Sequence, residues 1–386
     1  MKSRRLLVVG AGLTGAALAR SLAEAGHQVL VIEERDHLAG NCHTRRDPAT
    51  GIMVHVYGPH IFHTDRPRVW DFVGRFADFQ PCRHRVKTTA GGRVYSLPIN
   101  LLTLNQFFGR AMNPAEARKF VAELVDRSIA EPANFEERAL SMLGRELYET
   151  FFYGFSKKQW GREPRELPAS ILQRLPVRFN YEDSYFDHPW QAIPADGYTA
   201  LVENMLDLKG VEVAIGTAYE PALRRGRDHV FYTGPLDRYF DWRAGPLPYR
   251  TLDFEWFFDD GDHQGCPVMN YADPGVPWTR IVEHKHFAPW ESHPRTIGHR
   301  EYVRAAGPGD PPFYPVRFAG GSPLLDRYLE LAQAERGVTF AGRLGTFSYL
   351  DMDAALAGAL DTADLFLENL ARGRPMPALL PDTGRQ

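Results

Sequence analysis

Cysteine is scarce in this sequence, with three among 386 residues: Cys42, Cys82 and Cys266. None forms a Cys-x-x-Cys pair, and an odd, scattered set argues against a disulfide framework and fits a reducing compartment. Long hydrophobic runs are missing as well; no stretch approaches the roughly 20 apolar residues needed to span a bilayer. Charge of one sign is not in excess, since 45 basic against 48 acidic residues leave a formal net charge of −3. That balance gives no bulk attraction to nucleic acid or to an anionic membrane, so a phosphate-bearing ligand needs cations placed locally. No internal repeat is found. What is there is the composition of an ordinary globular protein, 44% apolar and 24% charged, long enough for two or three domains. The opening MKSRRLLVVGAGL imitates a signal peptide, but Gly10, Gly12 and Gly15 cut its apolar run. A mature, cytoplasmic start is expected.

Leu6 to Val9 read as a short strand buried on both faces, Ala16 to Ala25 as a helix closed by Gly26, and Gln28 to Ile32 as a second strand. Residues 66–80 read as helical and 86–97 as a hairpin turning at Gly91-Gly92. Helical signals dominate from Leu101 to about Gln159, after which Pro164, Pro168 and Pro176 prevent one continuous helix. Further on come a helix (ADGYTALVENMLDL), strands (VEVAIG, HVFYTG) and an aromatic-polar alternation over 249–320 that predicts an antiparallel sheet. The helix PLLDRYLELAQAE, the strand VTFAGRLG and the helix DMDAALAGALDTADLFLENLA follow, and the Pro-rich tail after Arg374 is expected to be disordered.

Gly10-Ala-Gly12-Leu-Thr-Gly15 lies between a strand and a helix, where a dinucleotide fingerprint must lie to work. Gly10 permits the tight turn, Gly12 lets backbone approach a pyrophosphate, and Gly15 lets helix pack on strand. Leu13 and Thr14 would open the helix whose positive end receives the diphosphate. Glu33, ending the second strand, would accept hydrogen bonds from an adenosine ribose. The following Glu34-Arg35-Asp36-His37-Leu38-Ala39-Gly40-Asn41 resembles the extended fingerprint of glutathione-reductase-like FAD proteins, with Ala39 in place of its first glycine. Downstream, FAGRLGTFSYLDMDAAL resembles the second FAD signature of that superfamily. There Arg343 follows a strand, Asp351 would serve the ribityl chain, and the helix from Met352 would aim its N–H groups at the flavin. A plain N-capping role for Asp351 is the alternative.

GPHIFHT, YGFSKKQWG, the arginine-bearing proline loop, Tyr185-Phe186 and GRLGTFSYLDMD together resemble the UDP-galactopyranose mutase family, from the N-terminus to about residue 370. The resemblance implies a mixed α/β fold: a Rossmann-like FAD-binding domain of the glutathione-reductase type with an inserted helical domain and an inserted antiparallel sheet domain. The expected boundaries are 1–84 with 205–240 and 315–386, then 100–165, then 85–99 with 166–204 and 241–314, with a mobile loop near 166–180. The implied reaction is a redox-neutral ring contraction that interconverts UDP-galactopyranose and UDP-galactofuranose, for galactofuranose-containing glycans. Reduced FAD acts as the nucleophile at the anomeric carbon, so no catalytic triad is needed. A cytoplasmic homodimer is the expected setting. An amine- or protoporphyrinogen-oxidase-like flavoenzyme is the competing reading; it wants an apolar, often aromatic-caged cavity instead of paired arginines.

By the same resemblance, Arg174 and Arg280 clamp the diphosphate, a task suited to planar, multidentate donors. Tyr185, Tyr314 and Tyr349 complete that end, Arg250 and Arg343 lie near phosphate or flavin, and Phe186 is as good a core residue as a contact. Phe151, Phe152 and Phe155 offer stacking faces for uracil; Trp160 borders the sugar and Asn270 contacts uracil or sugar. In GPHIFHT, His60 and His63, with His55 upstream, lack the third close ligand a metal wants. The implied role is to present His60-Ile61-Phe62-His63 to the flavin, with His63 as the catalytic candidate and His60 as loop support. No metal is expected.

Overall fold

Leu6, Leu7 and Val8 are wholly buried, and a short strand apolar on both faces belongs in the middle of a covered sheet. The computed structural model, which describes residues 2–174 and 177–380 apart from the side chains of Gln173 and Arg174, puts Arg5–Val9 there. It pairs in parallel with Gln28–Ile32 on one side and His229–Tyr232 on the other. Val211–Ala214 and Val338–Phe340 complete a five-stranded parallel sheet. Side chains alternate between its faces. Leu6 and Val8 enter one core with helices Leu13–Glu24, Gly197–Leu206 and Met352–Ala371; Leu7 and Val9 enter another with Pro323–Ala334. Because Tyr198 and Leu201 sit in the first of these cores, the Gly197–Leu206 helix packs with the nucleotide-fold layer, upstream of the boundary expected at 205.

A seven-stranded sheet forms the second unit, in the order Tyr314–Pro315, Tyr249–Asp260, Arg295–Ala305, Arg280–Glu283, Val268–Tyr271, Val86–Ala90, Arg93–Leu97. Its neighbours are antiparallel except Val86–Ala90 beside Val268–Tyr271, which run parallel. The long chain between those two strands makes the parallel pairing possible, and alternation within each strand could not reveal it. The helical unit holds Leu101–Phe108, Pro114–Leu124 and Phe135–Leu143, each begun by an asparagine (Asn100, Asn113, Asn134) whose side chain accepts from a backbone N–H of the first turn. The helix from Arg145 to Trp160 carries a π-helical turn at Glu149–Tyr153. Such turns shift the side-chain register and recur at functional sites.

Two expectations fail. The helix predicted over 66–80 stops at Val73, and Phe79–Pro81 pair instead with Trp190–Pro194. The tail is ordered through residue 380: Phe340 N–H donates to Ala378 O at 2.8 Å, and Thr339 Oγ1 to Pro377 O at 2.7 Å. Val338–Phe340 is an edge strand whose outward donors need acceptors, and buried Ala378 joins the adjoining core. Among the described residues, no helix is long and apolar enough to cross a membrane.

Candidate active site

The first strand ends at Val9, and the Leu13–Glu24 helix starts on Gly12 with no side-chain cap. Its first N–H groups therefore open into a cavity of about 450 Å³. The glycines do what their positions require. Gly10 holds φ +99°, and a Cβ on Gly15 would stand 1.9 Å from Gly10 O. Gly12 and Gly40 face each other, a Cβ on Gly40 lying in ordinary contact 3.4 Å from Gly12 Cα, and Gly40 holds φ +53°. Glu33 accepts from Ala11 N–H (2.9 Å) and Arg35 N–H (3.0 Å), which ties the glycine turn to the second strand. Glu34 pairs with Arg238 at 2.6 Å on the cavity rim.

From the far end of the chain, Arg343, Asp351 and Met352 supply the opposite wall. Gly342 has φ +74°, and a Cβ there would meet Thr14 Oγ1 at 2.9 Å, so the two signatures touch. Arg343 Nε donates to Leu350 O at 3.0 Å, and its guanidinium lies 5.1 Å from the Tyr349 ring centroid. The side chain of Asp351 makes no capping bond to the helix that it precedes, which removes the plain N-cap reading. Gly10, Gly12, Leu13, Thr14, Glu33, Glu34, Arg35, Gly40, Asn41, His60, Arg343, Asp351 and Met352 line the cavity. Gly15 supports it from behind, Ile61 is buried in the neighbouring core, and Tyr349 stands in the aromatic cluster next to it.

A smaller recess, lined by Asn41, Tyr57, His60, Arg280, Glu301, Tyr314 and Arg343, adjoins the cavity. Arg280 Nε is 3.0 Å from Glu301 Oε2, and the glutamate side chain is 2% exposed. Burial disfavours the Arg280 charge, but Glu301 and the phenols of Tyr314, Tyr185 and Tyr349 together outweigh it and strengthen that charge. Burial likewise works against the Glu301 carboxylate, and Arg280, His299 and His60 together more than offset it, holding the pKa below the usual range. Behind this pair, His299 Nε2 is 3.2 Å from Glu301 and His299 Nδ1 is 3.0 Å from His284 Nε2. Trp160 meets Tyr349 edge-on at 5.5 Å and Tyr314 at 6.2 Å. Buried Asn270 sits beside Arg280 on the adjacent strand, and its Oδ1 has no hydrogen-bond partner.

The other expected residues divide. Phe151 and Phe152 are sunk in the core of the helical unit, Phe151 edge-on to Tyr95 at 5.1 Å. Phe155, past the π turn, is half-buried and outside that core. Arg250 donates to Gln159 O, Lys158 O and Val303 O, closing the C-terminus of the Gly154–Trp160 helix. Phe186 stacks on His63 at 3.6 Å, and His63 Nδ1 is 2.9 Å from His188 Nδ1. His60, not His63, is on the cavity wall. Burial first, and then the Arg343 guanidinium, push its pKa down to about 4, so it stays neutral. The Arg174 side chain lies outside the described residues.

The sequence profile of UDP-galactopyranose mutase matches residues 150–349, and that of a NAD(P)-binding Rossmann-like domain matches residues 8–76. A probable UDP-galactopyranose mutase of Klebsiella pneumoniae is 52% identical, over 98% of both chains. The chain belongs to the UDP-galactopyranose mutase family. A dTDP-fucopyranose mutase of Escherichia coli is 48% identical over 95% of this chain and 99% of its own. A crystal structure of a reduced UDP-galactopyranose mutase shares the fold at a TM-score of 0.71, with 15% identity over 99% of this chain and 100% of that one.

FAD is the cofactor of this family, and the cavity fits it. Facing glycines leave a side-chain-free cradle, the helix end is open, and Arg35 Nη1 is buried at the wall without a partner. Several wall residues escaped the sequence reading, among them Tyr219, Tyr232, Thr233 and Trp242. Glu301, His299 and His284 escaped it too. His299 and Glu301 sit among other polar residues of their strand, with Arg300 between them, and His284 opens a short helix, so the sequence set none of them apart.

Proposed function

We propose that the chain interconverts UDP-galactopyranose and UDP-galactofuranose without net redox change. The observation that carries this is the pair of half-buried Arg280 with buried Glu301, set among Tyr185, Tyr314 and Tyr349 and opening on the wall of the FAD cavity. A guanidinium kept charged at the mouth of such a recess is a ready partner for a diphosphate. Arg280 takes the leaving UDP from one side, and Arg174 is assigned the other by family resemblance. The orphan Oδ1 of Asn270 accepts a hydrogen bond from the nucleotide or the sugar, Phe155 stacks on the base, and Trp160 with Tyr349 walls off water. When bound and reduced, the flavin supplies the nucleophilic nitrogen for the anomeric carbon. Neutral His60 answers its polar edge by hydrogen bonding, and His63 holds the Phe186 segment by stacking. An oxidase reading would want an apolar cage where this chain has a charged pair. The proposal carries with it a homodimer in the cytoplasm, a setting that three unpaired cysteines fit.

The 48% identity to a dTDP-fucopyranose mutase favours a second substrate pair, a thymidine-diphosphate 6-deoxy sugar handled by the same machinery. Dithionite-reduced, FAD-loaded protein is incubated separately with UDP-galactofuranose and dTDP-fucofuranose, and the pyranose products are counted by chromatography. Conversion of the first supports the main reading, and preference for the second reassigns the substrate. Conversion of neither, with oxygen consumed in the presence of an amine, overturns both.

A further inference from the structure

The Lys158 side chain is half-buried; Asp273 is near enough for its charge to act on it, but among the described residues no carboxylate is paired with its ammonium. Its ammonium is instead surrounded by four backbone carbonyls: Tyr271 O at 2.6 Å, Asp273 O at 3.0 Å, Val276 O at 3.0 Å and Trp278 O at 3.1 Å. Tyr271 ends the strand Val268–Tyr271 and the other three belong to the turn that links it to Arg280–Glu283, so the contact runs from one residue past Asn270 to two before Arg280. The helix side of this contact is equally tight. Gly154, four residues before Lys158 and so on the same helical face, approaches the turn so closely that a Cβ would stand 2.3 Å from Ala272 O. Phe155 and Trp160 ride on that helix.

We infer that Lys158 is a positioning residue for the nucleotide diphosphate, an ammonium that fixes the turn between Asn270 and Arg280 against the helix bearing Phe155 and Trp160. The physical reason is the accounting of backbone acceptors. The four carbonyls converge on Lys158, whose three N–H groups are shared among them; Asp273 O also accepts from Val276 N–H, and a side chain without donors would withdraw this shared donor from all four at once. Freed of that tie, the turn re-points its carbonyls to water, and Asn270 and Arg280 lose their spacing from the stacking helix. Among the described residues, neither Lys158 nor the four carbonyls around its ammonium line the cofactor cavity, so its effect falls on nucleotide and not on FAD. The Arg250 guanidinium, holding Lys158 O and Gln159 O, keeps the helix end in place when the side chain is changed.

This inference rests on the nucleotide-sugar reading, and its test separates the two. The Kd of UDP is measured by calorimetry on FAD-loaded wild type, Lys158→Met and Lys158→Arg, alongside FAD content, Tm, KM and kcat. In Lys158→Met, UDP affinity and KM worsen about tenfold, equivalent to roughly 1.4 kcal/mol, while FAD content holds and kcat stays within about threefold. Lys158→Arg, which keeps charge and donors, recovers most of the affinity. Lys158→Gln, with two donors, replaces the methionine variant in the same measurement if the latter does not fold. UDP binding within twofold of wild type in a neutral variant overturns the role of Lys158, as does a loss no larger than the loss of FAD. If wild type itself does not bind UDP, the nucleotide-sugar reading fails first.

Discussion

Arg280 is the residue in which geometry and charge agree most closely, since its partner Glu301 is buried and three phenols surround it. Arg280→Lys keeps the charge but replaces a planar fork by a point. Loss of one or two charged hydrogen bonds, about 1.5–3 kcal/mol, weakens UDP binding by roughly ten- to hundredfold. A calorimetric Kd within twofold of wild type would remove Arg280 from the clamp. Arg280 and Asn270 were visible in the sequence only through family resemblance, because an arginine on a strand carries no sign of what it will face. Residues bound to backbone geometry were legible without help: Gly10, Gly12 and Gly15 mean the same thing wherever a strand meets a helix. Arg250 shows the opposite case. The resemblance placed it near phosphate or flavin, and in the structure its Nε and Nη2 donate to three backbone carbonyls.

Among the elements, the opening strand-helix-strand unit carries the most consequence per residue. Gly15→Ala sets a methyl 1.9 Å from Gly10 O, a contact that backbone cannot yield without moving the glycine turn. FAD content of the purified variant therefore falls below about a tenth of wild type, more than 1.4 kcal/mol on the affinity. Flavin absorbance at 450 nm, a wavelength taken as about that of oxidised flavin, reads this directly; full occupancy would contradict the tight-turn account. Elements with strong periodicity were legible to within a few residues, as at Gln28–Ile32 and Pro323–Ala334. Those set by tertiary partners were not. Phe79–Pro81 is a strand only because Trp190–Pro194 offers an edge, and the 375–380 tail is ordered only because Val338–Phe340 has donors to fill.

For the whole molecule, buried neutral histidines dominate the response to acid. Burial pushes His55 and His84 down to about 3, and His43, His60 and His229 to about 4. His284 lies well below its ordinary value for the same reason. In the unfolded chain these groups titrate near 6.5. Below that pH the unfolded state binds protons that the folded state refuses, so stability falls as pH drops from about 6.5 toward 4. Tm of the FAD-loaded protein should decline steeply across that window, with a slope of more than one proton; a Tm unchanged from about pH 7 to pH 5 would contradict it. The cavity described above has a further consequence. One wall is the glycine turn at Gly10–Thr14 and the other is Gly342–Met352, so the second is synthesised long after the first. FAD therefore waits for a chain that already carries both walls. A message truncated before the last strand yields a polypeptide with half a binding site and no flavin.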